Sequence, residues 1–280
     1  MKAITDTRRV FMKKGSCSNT LFYLLNREFG HNKLPEESAS DPLAGGLNAT
    51  GHQCGMLWGA SMAAGAESFR RFGQSGRATA MAIKVTQHAM KSFISRTRSA
   101  DCRDIIGCDL TTKAGMRKLM FKTIMGGFIY SKCFNLAKKW APEAFEATLE
   151  GLSTESADIP VNAVSCASET VIKMGANPEQ TAMVAGFAGG MGLSGNACGA
   201  LAAAVWYNTL EWCRKNPGKF AYANPIANEM LREFKETTGG EMLCEKICGR
   251  RFNTIEEHTD FIKNGGCSKI ITLLSKKHQL

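Results

Sequence analysis

No run of about eighteen apolar residues occurs anywhere in the 280-residue chain, so no membrane-spanning helix is expected. The opening stretch MKAITDTRRVFMKKGSC is basic but lacks an apolar segment, and no secretory signal is read there. Alternating β-branched segments with hairpin turns are missing, which argues against a sheet. No G-x-G-x-x-G follows a strand pattern, so a dinucleotide-binding turn is unsupported. AGGMGLSG is only loosely like a phosphate loop, without its lysine or its strand. There is no C-x-x-C-H haem attachment site. Nor is there a compact C-x-x-C pair or a ferredoxin-type cysteine run. The five histidines show no spacing that would build a Ser-His-Asp triad. The chain carries a formal charge of +10. Its basic residues are scattered, as in Arg70-Arg71, Lys138-Lys139 and Lys276-Lys277, without interleaved aromatics. They read as a solvated surface, and nucleic acid is disfavoured as a partner.

Cysteine, by contrast, is plentiful. Eleven cysteines in a chain read as cytoplasmic point away from structural disulfides. They point toward metal ligands, redox groups or small core residues. Sliding the chain on itself by 144 residues superimposes Ala44-Gly45-Gly46 on Ala188-Gly189-Gly190, Gly51 on Gly195, and Cys54-Gly55 on Cys198-Gly199. The match extends outward. Cys17 and Cys166 each follow a serine and open a helical pattern. CRDIIG at Cys102 and CEKICG at Cys244 share C-x-x-I-x-G. Cys133 and Cys267 each begin an apolar face, through Leu136, Ala137 and Trp140 in one case and Ile270, Ile271 and Leu274 in the other. Each half therefore carries four cysteines in one order: Cys17, Cys54, Cys102 and Cys133, then Cys166, Cys198, Cys244 and Cys267. Of the remaining three, Cys248 aligns with Ile106 and reads first as a core thiol. Cys108 aligns with Arg250, and Cys213 has no counterpart.

The periodicity predicts an all-α fold of two tandem, pseudo-symmetric helical repeats. The boundary is expected in the polar EGLSTESADIPVN segment, giving repeats 1–153 and 154–280. Helices are expected at 21–29, 56–72, 79–94, 133–149, 178–187, 200–213, 225–235 and 267–275, with Pro178 and Pro225 in first turns. Most of the repeated cysteines then stand near helix starts, where unpaired N–H groups and the helix dipole favour thiolate. The glycines of the two loops, Gly45, Gly46, Gly51 and Gly55 with Gly189, Gly190, Gly195 and Gly199, leave backbone amides free to wrap a compact anion. On residues alone, an iron–sulfur cluster comes ahead of dithiol cycling, structural zinc or plain core thiols. His52 lies two residues before Cys54 and could ligate or donate to a sulfur. Its counterpart is Asn196. Trp206, Tyr207 and Trp212 read as core.

These features resemble the family of redox-active proteins named for its C–GCAxxG–C–C cysteine pattern. The carrying residues are Cys166, GFAGGMGLSGNACGALAAA, CEKICGRRF and GGCSKII. The first half looks like a diverged copy through Cys17, AGGLNATGHQCGMLWGA, CRDIIGCDL and CFNLAKK. The later glycine of the pattern is kept as Gly59, while Ala203 takes its place in the second half. The resemblance implies a helical protein with a redox centre on the cysteines, an iron–sulfur cluster of unspecified type, either one per half or one shared. Cys108, Cys248 and His52 are the secondary candidates. The expected role is electron transfer with a redox partner, which the basic surface would suit if that partner is acidic. A thiol–disulfide oxidoreductase, an enzyme reducing a small substrate at the cluster, and an interaction module with structural cysteines remain open. So does self-association.

Overall fold

The computed structural model describes residues 4–125, 131–154 and 159–276. Among the described residues it contains fifteen α-helices and no strand. The first repeat runs through α1 (Thr7–Lys14), α2 (Cys17–Phe29), α3 (Leu34–Ala39), α4 (Gly55–Phe72), α5 (Gly76–Thr97), α6 (Cys102–Ile106), α7 (Lys113–Met125) and α8 (Lys132–Leu152). The second runs through α9 (Cys166–Met174), α10 (Pro178–Met183), α11 (Gly199–Lys215), α12 (Pro225–Thr238), α13 (Cys244–Ile247), α14 (Ile255–Lys263) and α15 (Ser268–Leu274). From α2 onward the α-helices of the two series correspond one for one; α1 and the 3₁₀ turn Ala221–Ala223 have no counterpart. Even the short 3₁₀ turn before the glycine loop recurs, at Asp41–Leu43 and Ala185–Phe187.

Local chemistry explains the matched starts and stops. Ser16 and Ser165 cap α2 and α9, their side chains accepting from Asn19 N–H and Ser168 N–H. Both helices end on a left-handed glycine, Gly30 and Gly175. Asn177 and Gln180 form a capping box at α10. The helix expected over 178–187 stops at Met183 and continues as the 3₁₀ turn. A methyl on Gly186 would meet Thr86 Oγ1 at 2.1 Å and Ser61 Oγ at 2.4 Å, so the chain is turned there to pack against α4 and α5. The helix expected from Cys267 begins one residue later, because Cys267 itself is left-handed at φ 61°.

The repeats interlock rather than sit side by side. Every residue of α4 from Gly55 to Ser68 is buried, as is α11 from Gly199 to Leu210, the pattern of helices enclosed on all sides. Small residues make the close crossings. A methyl on Gly59 would meet Ser18 O of α2 at 2.2 Å, and one on Gly65 would meet Ala182 O of α10 at 2.2 Å. Thus α4 is clasped by its own repeat on one side and the other repeat on the other. Ala203, at the position of Gly59, is accommodated fully buried. Trp58 packs edge-on against Phe187 across the repeats, with centroids 4.7 Å apart. Its indole N–H donates to Gln53 O at 3.0 Å, and Trp206 N–H of the second repeat donates to Glu36 O of the first at 3.0 Å.

Candidate functional site

All eight repeated cysteines stand at helix starts. Cys17, Cys102, Cys166 and Cys244 are first residues; Cys54, Cys198 and Cys267 occupy cap positions; Cys133 is the second residue of α8. Two devices bring them together. The first is an isolated antiparallel bridge. Cys54 N–H donates to Ala100 O at 2.8 Å and Cys102 N–H to His52 O at 2.6 Å. The second repeat reproduces it with Cys198 N–H to Met242 O at 2.9 Å and Cys244 N–H to Asn196 O at 2.7 Å. The second and third cysteines of each set are therefore fixed side by side, at the bridges Gln53–Asp101 and Ala197–Leu243.

The second device is the glycine loop. Five consecutive residues are left-handed in each copy, Gly45 to Ala49 (φ 52° to 79°) and Gly189 to Leu193 (φ 58° to 77°). Non-glycine residues there cost roughly 1–2 kcal/mol each. That strain is held by full burial of Leu47 and Met191 and by loop-closing bonds from Gly51 N–H to Gly45 O and from Gly195 N–H to Gly189 O. Only glycine serves at Gly46 and Gly190, where a methyl would lie 2.4 Å from His52 and Asn196 backbone atoms. The turn brings one amide to bear on a sulfur in each copy: the Gly45 backbone favours the Cys17 thiolate, and the Gly189 backbone the Cys166 thiolate. The Ser18 backbone also lowers Cys17, that of Ala167 lowers Cys166, and those of Ala200 and Leu201 lower Cys198. Gly55 packs so closely on Cys17 that a methyl would stand 2.5 Å from Sγ. Gly199 meets Phe187 O instead, and Gly51 and Gly195 make room for the Arg103 and Glu245 side chains.

The four thiols of the first repeat are near enough to repel one another as anions. Cys54 feels Cys17, Cys102 and Cys133, and both Cys102 and Cys133 feel Cys17. The neighbouring Cys54 thiol holds Cys17 below the usual thiol range against its burial, while Cys54 is driven far up. Burial, with the charge of Cys17, pushes Cys133 up to about 12 and Cys102 still further. The second repeat assembles five sulfurs. Cys248 Sγ lies 3.8 Å from Cys244 Sγ and 3.5 Å from Cys267 Sγ. Those two close thiols hold Cys248 down at about 4. Cys244 and Cys267 rise accordingly, and burial lifts Cys166 to about 12 and Cys198 to about 11. All eleven cysteines are free thiols. Among the described residues no three His, Cys, Asp or Glu side chains form a ready-made single-ion site.

The secondary candidates separate. Cys248 is at the centre of the second cluster, and the i, i+4 spacing of C-E-K-I-C is the sequence signal for it. Cys108 packs beside Cys102, Ile106 and Leu110 with its Sγ directed at Ile106 O, 3.7 Å away. Burial raises the Cys213 thiol, helped by the charge of Asp41. Burial pushes His52 down to about 4, helped by Arg103 and Lys235. Its ring is thus neutral, and its backbone carbonyl positions Cys102. Trp206 is fully buried, and Tyr207 and Trp212 are nearly so.

Sequence patterns gave no sign of two further neighbours. Asp41 accepts from Ser16 Oγ at 2.7 Å and Asn19 Nδ2 at 3.2 Å, and burial raises it to about 6. Tyr222 reaches over from the second repeat. It is 53% exposed overall, and burial with the charges of Cys17 and Asp41 drives the phenol far up.

No curated protein and no solved structure gives a significant match to the chain. The family described as "Putative redox-active protein (C_GCAxxG_C_C)" matches twice, over residues 16–142 and 162–278. With both matches falling on the paired cysteine sets and together spanning most of its length, the chain belongs to this redox-active family as a tandem duplication of its domain.

Proposed function

We propose that the protein carries electrons on iron–sulfur clusters held by Cys17, Cys54, Cys102 and Cys133 in one repeat and by Cys166, Cys198, Cys244 and Cys267 in the other. The observation that carries the reading is the recurrence, in both repeats, of a left-handed glycine loop whose backbone favours thiolate at a helix-start sulfur, Gly45 for Cys17 and Gly189 for Cys166. Such backbone groups stabilise thiolate and tune cluster potential. The donor set also suits the group. Four buried sulfurs that repel one another as anions need a cationic counterpart to ionise together, and soft thiolates favour iron–sulfur centres. A cluster bound there would supply one-electron chemistry. The chain's own residues hold the sulfurs, favour thiolate through the loop backbone and exclude water through α4 and α11. We place the division between the repeats at 153/154. An acidic redox partner fits the +10 charge. Eleven free thiols fit a reducing compartment such as the cytoplasm.

A second reading concerns the second repeat alone. The 3.5 Å separation of Cys248 and Cys267 sulfurs favours dithiol–disulfide chemistry there. Anaerobic purification followed by iron and labile-sulfide analysis tests the main reading. Iron and sulfide in both repeats support it. An iron-free, sulfide-free chain after anaerobic handling and reconstitution overturns it.

A further inference from the structure

We propose that Cys248 and Cys267 form an exchange site that reduces a small anionic disulfide, bound in the open cavity that both residues line. The inference rests on the dithiol reading of the second repeat. Four observations lead to it. Cys248 has no cysteine counterpart, since Ile106 stands at its place in the first repeat. Its sulfur lies 3.5 Å from that of Cys267, a gap that rotation about the side-chain bonds can close to a disulfide. Both residues are half-buried, whereas Cys166, Cys198 and Cys244 are buried. The two line a cavity of about 480 Å³ walled by Phe261 and Ile270, with Lys246 and Lys269 beside them. That volume suits a small molecule. Lys246 is paired with Glu241 at 3.5 Å, so Lys269 leaves the rim net positive, in a chain already charged +10.

The step balances without an added reagent. The Cys248 thiolate attacks one sulfur of R–S–S–R. The S–S bond breaks, RS⁻ leaves with the electron pair, and a Cys248–S–S–R mixed disulfide forms. The Cys267 thiolate then attacks Cys248 Sγ and expels the second RS⁻. The substrate gains two electrons and, with the protons given up by the two cysteines, becomes two thiols. The protein keeps one Cys248–Cys267 disulfide. A sulfur committed to that bond cannot hold iron, so exchange belongs to the metal-free second repeat.

The test uses the full chain, stripped of metal, reduced and desalted anaerobically, with two probes of similar size and opposite charge, dithiodipropionate and cystamine. Single-turnover thiol loss is followed, and the new bond is located by peptide mass mapping. A Cys248–Cys267 disulfide is expected, formed about tenfold faster with the dianion at low salt, with the preference shrinking as salt rises. Lys269→Glu should reduce the preference. Cys248→Ser should remove the fast phase while circular dichroism shows the helices intact, and Cys248→Ala should agree with it. A disulfide that forms at equal rates with both probes overturns the anionic substrate and leaves the dithiol reading standing. Failure of this disulfide to form, or reaction at Cys108 or Cys213 instead, overturns both.

Discussion

Gly55→Ala isolates the cradle of the first centre. The added methyl would stand 2.5 Å from Cys17 Sγ, 2.9 Å from Ala44 Cα and 3.2 Å from Ser18 N. Ordinary contacts lie near 3.5–4.0 Å, so the sulfur must retreat by about 1 Å, and the two backbone neighbours block the easy routes. Overpacking of this kind costs about 1–3 kcal/mol. The better helix propensity of alanine offsets little of that at a first helical position. A displacement of about 1 Å exceeds the roughly 0.5 Å within which a ligand set must be held. The variant should therefore melt a few degrees lower by circular dichroism and carry about half the wild-type iron and sulfide, the second repeat keeping its share. Gly30→Ala is the control. Gly30 is a left-handed helix cap, φ 78°, with nothing within 4 Å of an added methyl, so it should lose about 1 kcal/mol while leaving iron unchanged. Gly55→Ala with full iron content and a wild-type spectrum would refute the idea that this glycine exists to seat Cys17.

The remaining predictions address the frame around the centres. Gln53 is fully buried and crosses to the other repeat, donating to Gly190 O at 3.1 Å and accepting from Ala197 N–H at 3.2 Å. Gln53→Leu orphans those groups and should cost about 1–3 kcal/mol in urea melts. His258 is buried with Nδ1 3.2 Å from Val164 O, and burial pushes it down from 6.5 to about 4. Its folded pKa lies below the unfolded value, so the unfolded chain takes up the proton first. Stability should fall as pH drops from about 6.5 toward 4, by up to about 3 kcal/mol, and His258→Gln should flatten that slope. Asp41 runs the other way. Burial raises it to about 6, so its contribution is present below about pH 4 and lost as pH rises through 6. Asp41→Asn should thus be more stable than wild type by roughly 1–2 kcal/mol at pH 8, a gain that disappears at pH 4.

The helical class, the duplication and the order of the cysteines were legible in the chain because each rests on a repeated local pattern. A serine cap before Cys17 or Cys166 acts within one helical turn, so sequence spacing reveals it. The apolar faces after Cys133 and Cys267 are equally local, and Ile270, Ile271 and Leu274 are indeed buried. What was not legible depends on contacts between distant segments. The centrality of Cys248 follows from α15 returning to place Cys267 against it, and alignment with Ile106 pointed the other way. Tyr222 comes under the influence of Cys17 and Asp41 only because the repeats interlock. The left-handed runs at Gly45–Ala49 and Gly189–Leu193 include Leu47 and Met191, residues whose propensities give no hint of positive φ, and burial of their side chains in the shared core outweighs the strain. The break of the helix at Met183 has the same origin, in the packing of Gly186 against Thr86 and Ser61.

The most direct test of the account is the visible and paramagnetic-resonance spectrum of the anaerobically purified, chemically reduced chain, alongside variants with Cys17 and Cys54 or Cys166 and Cys198 changed to serine. A coloured protein with cluster signals, part of which disappears with each cysteine pair, is the predicted result. A colourless and magnetically silent wild-type chain after reconstitution, or signals indifferent to both pairs, would contradict it.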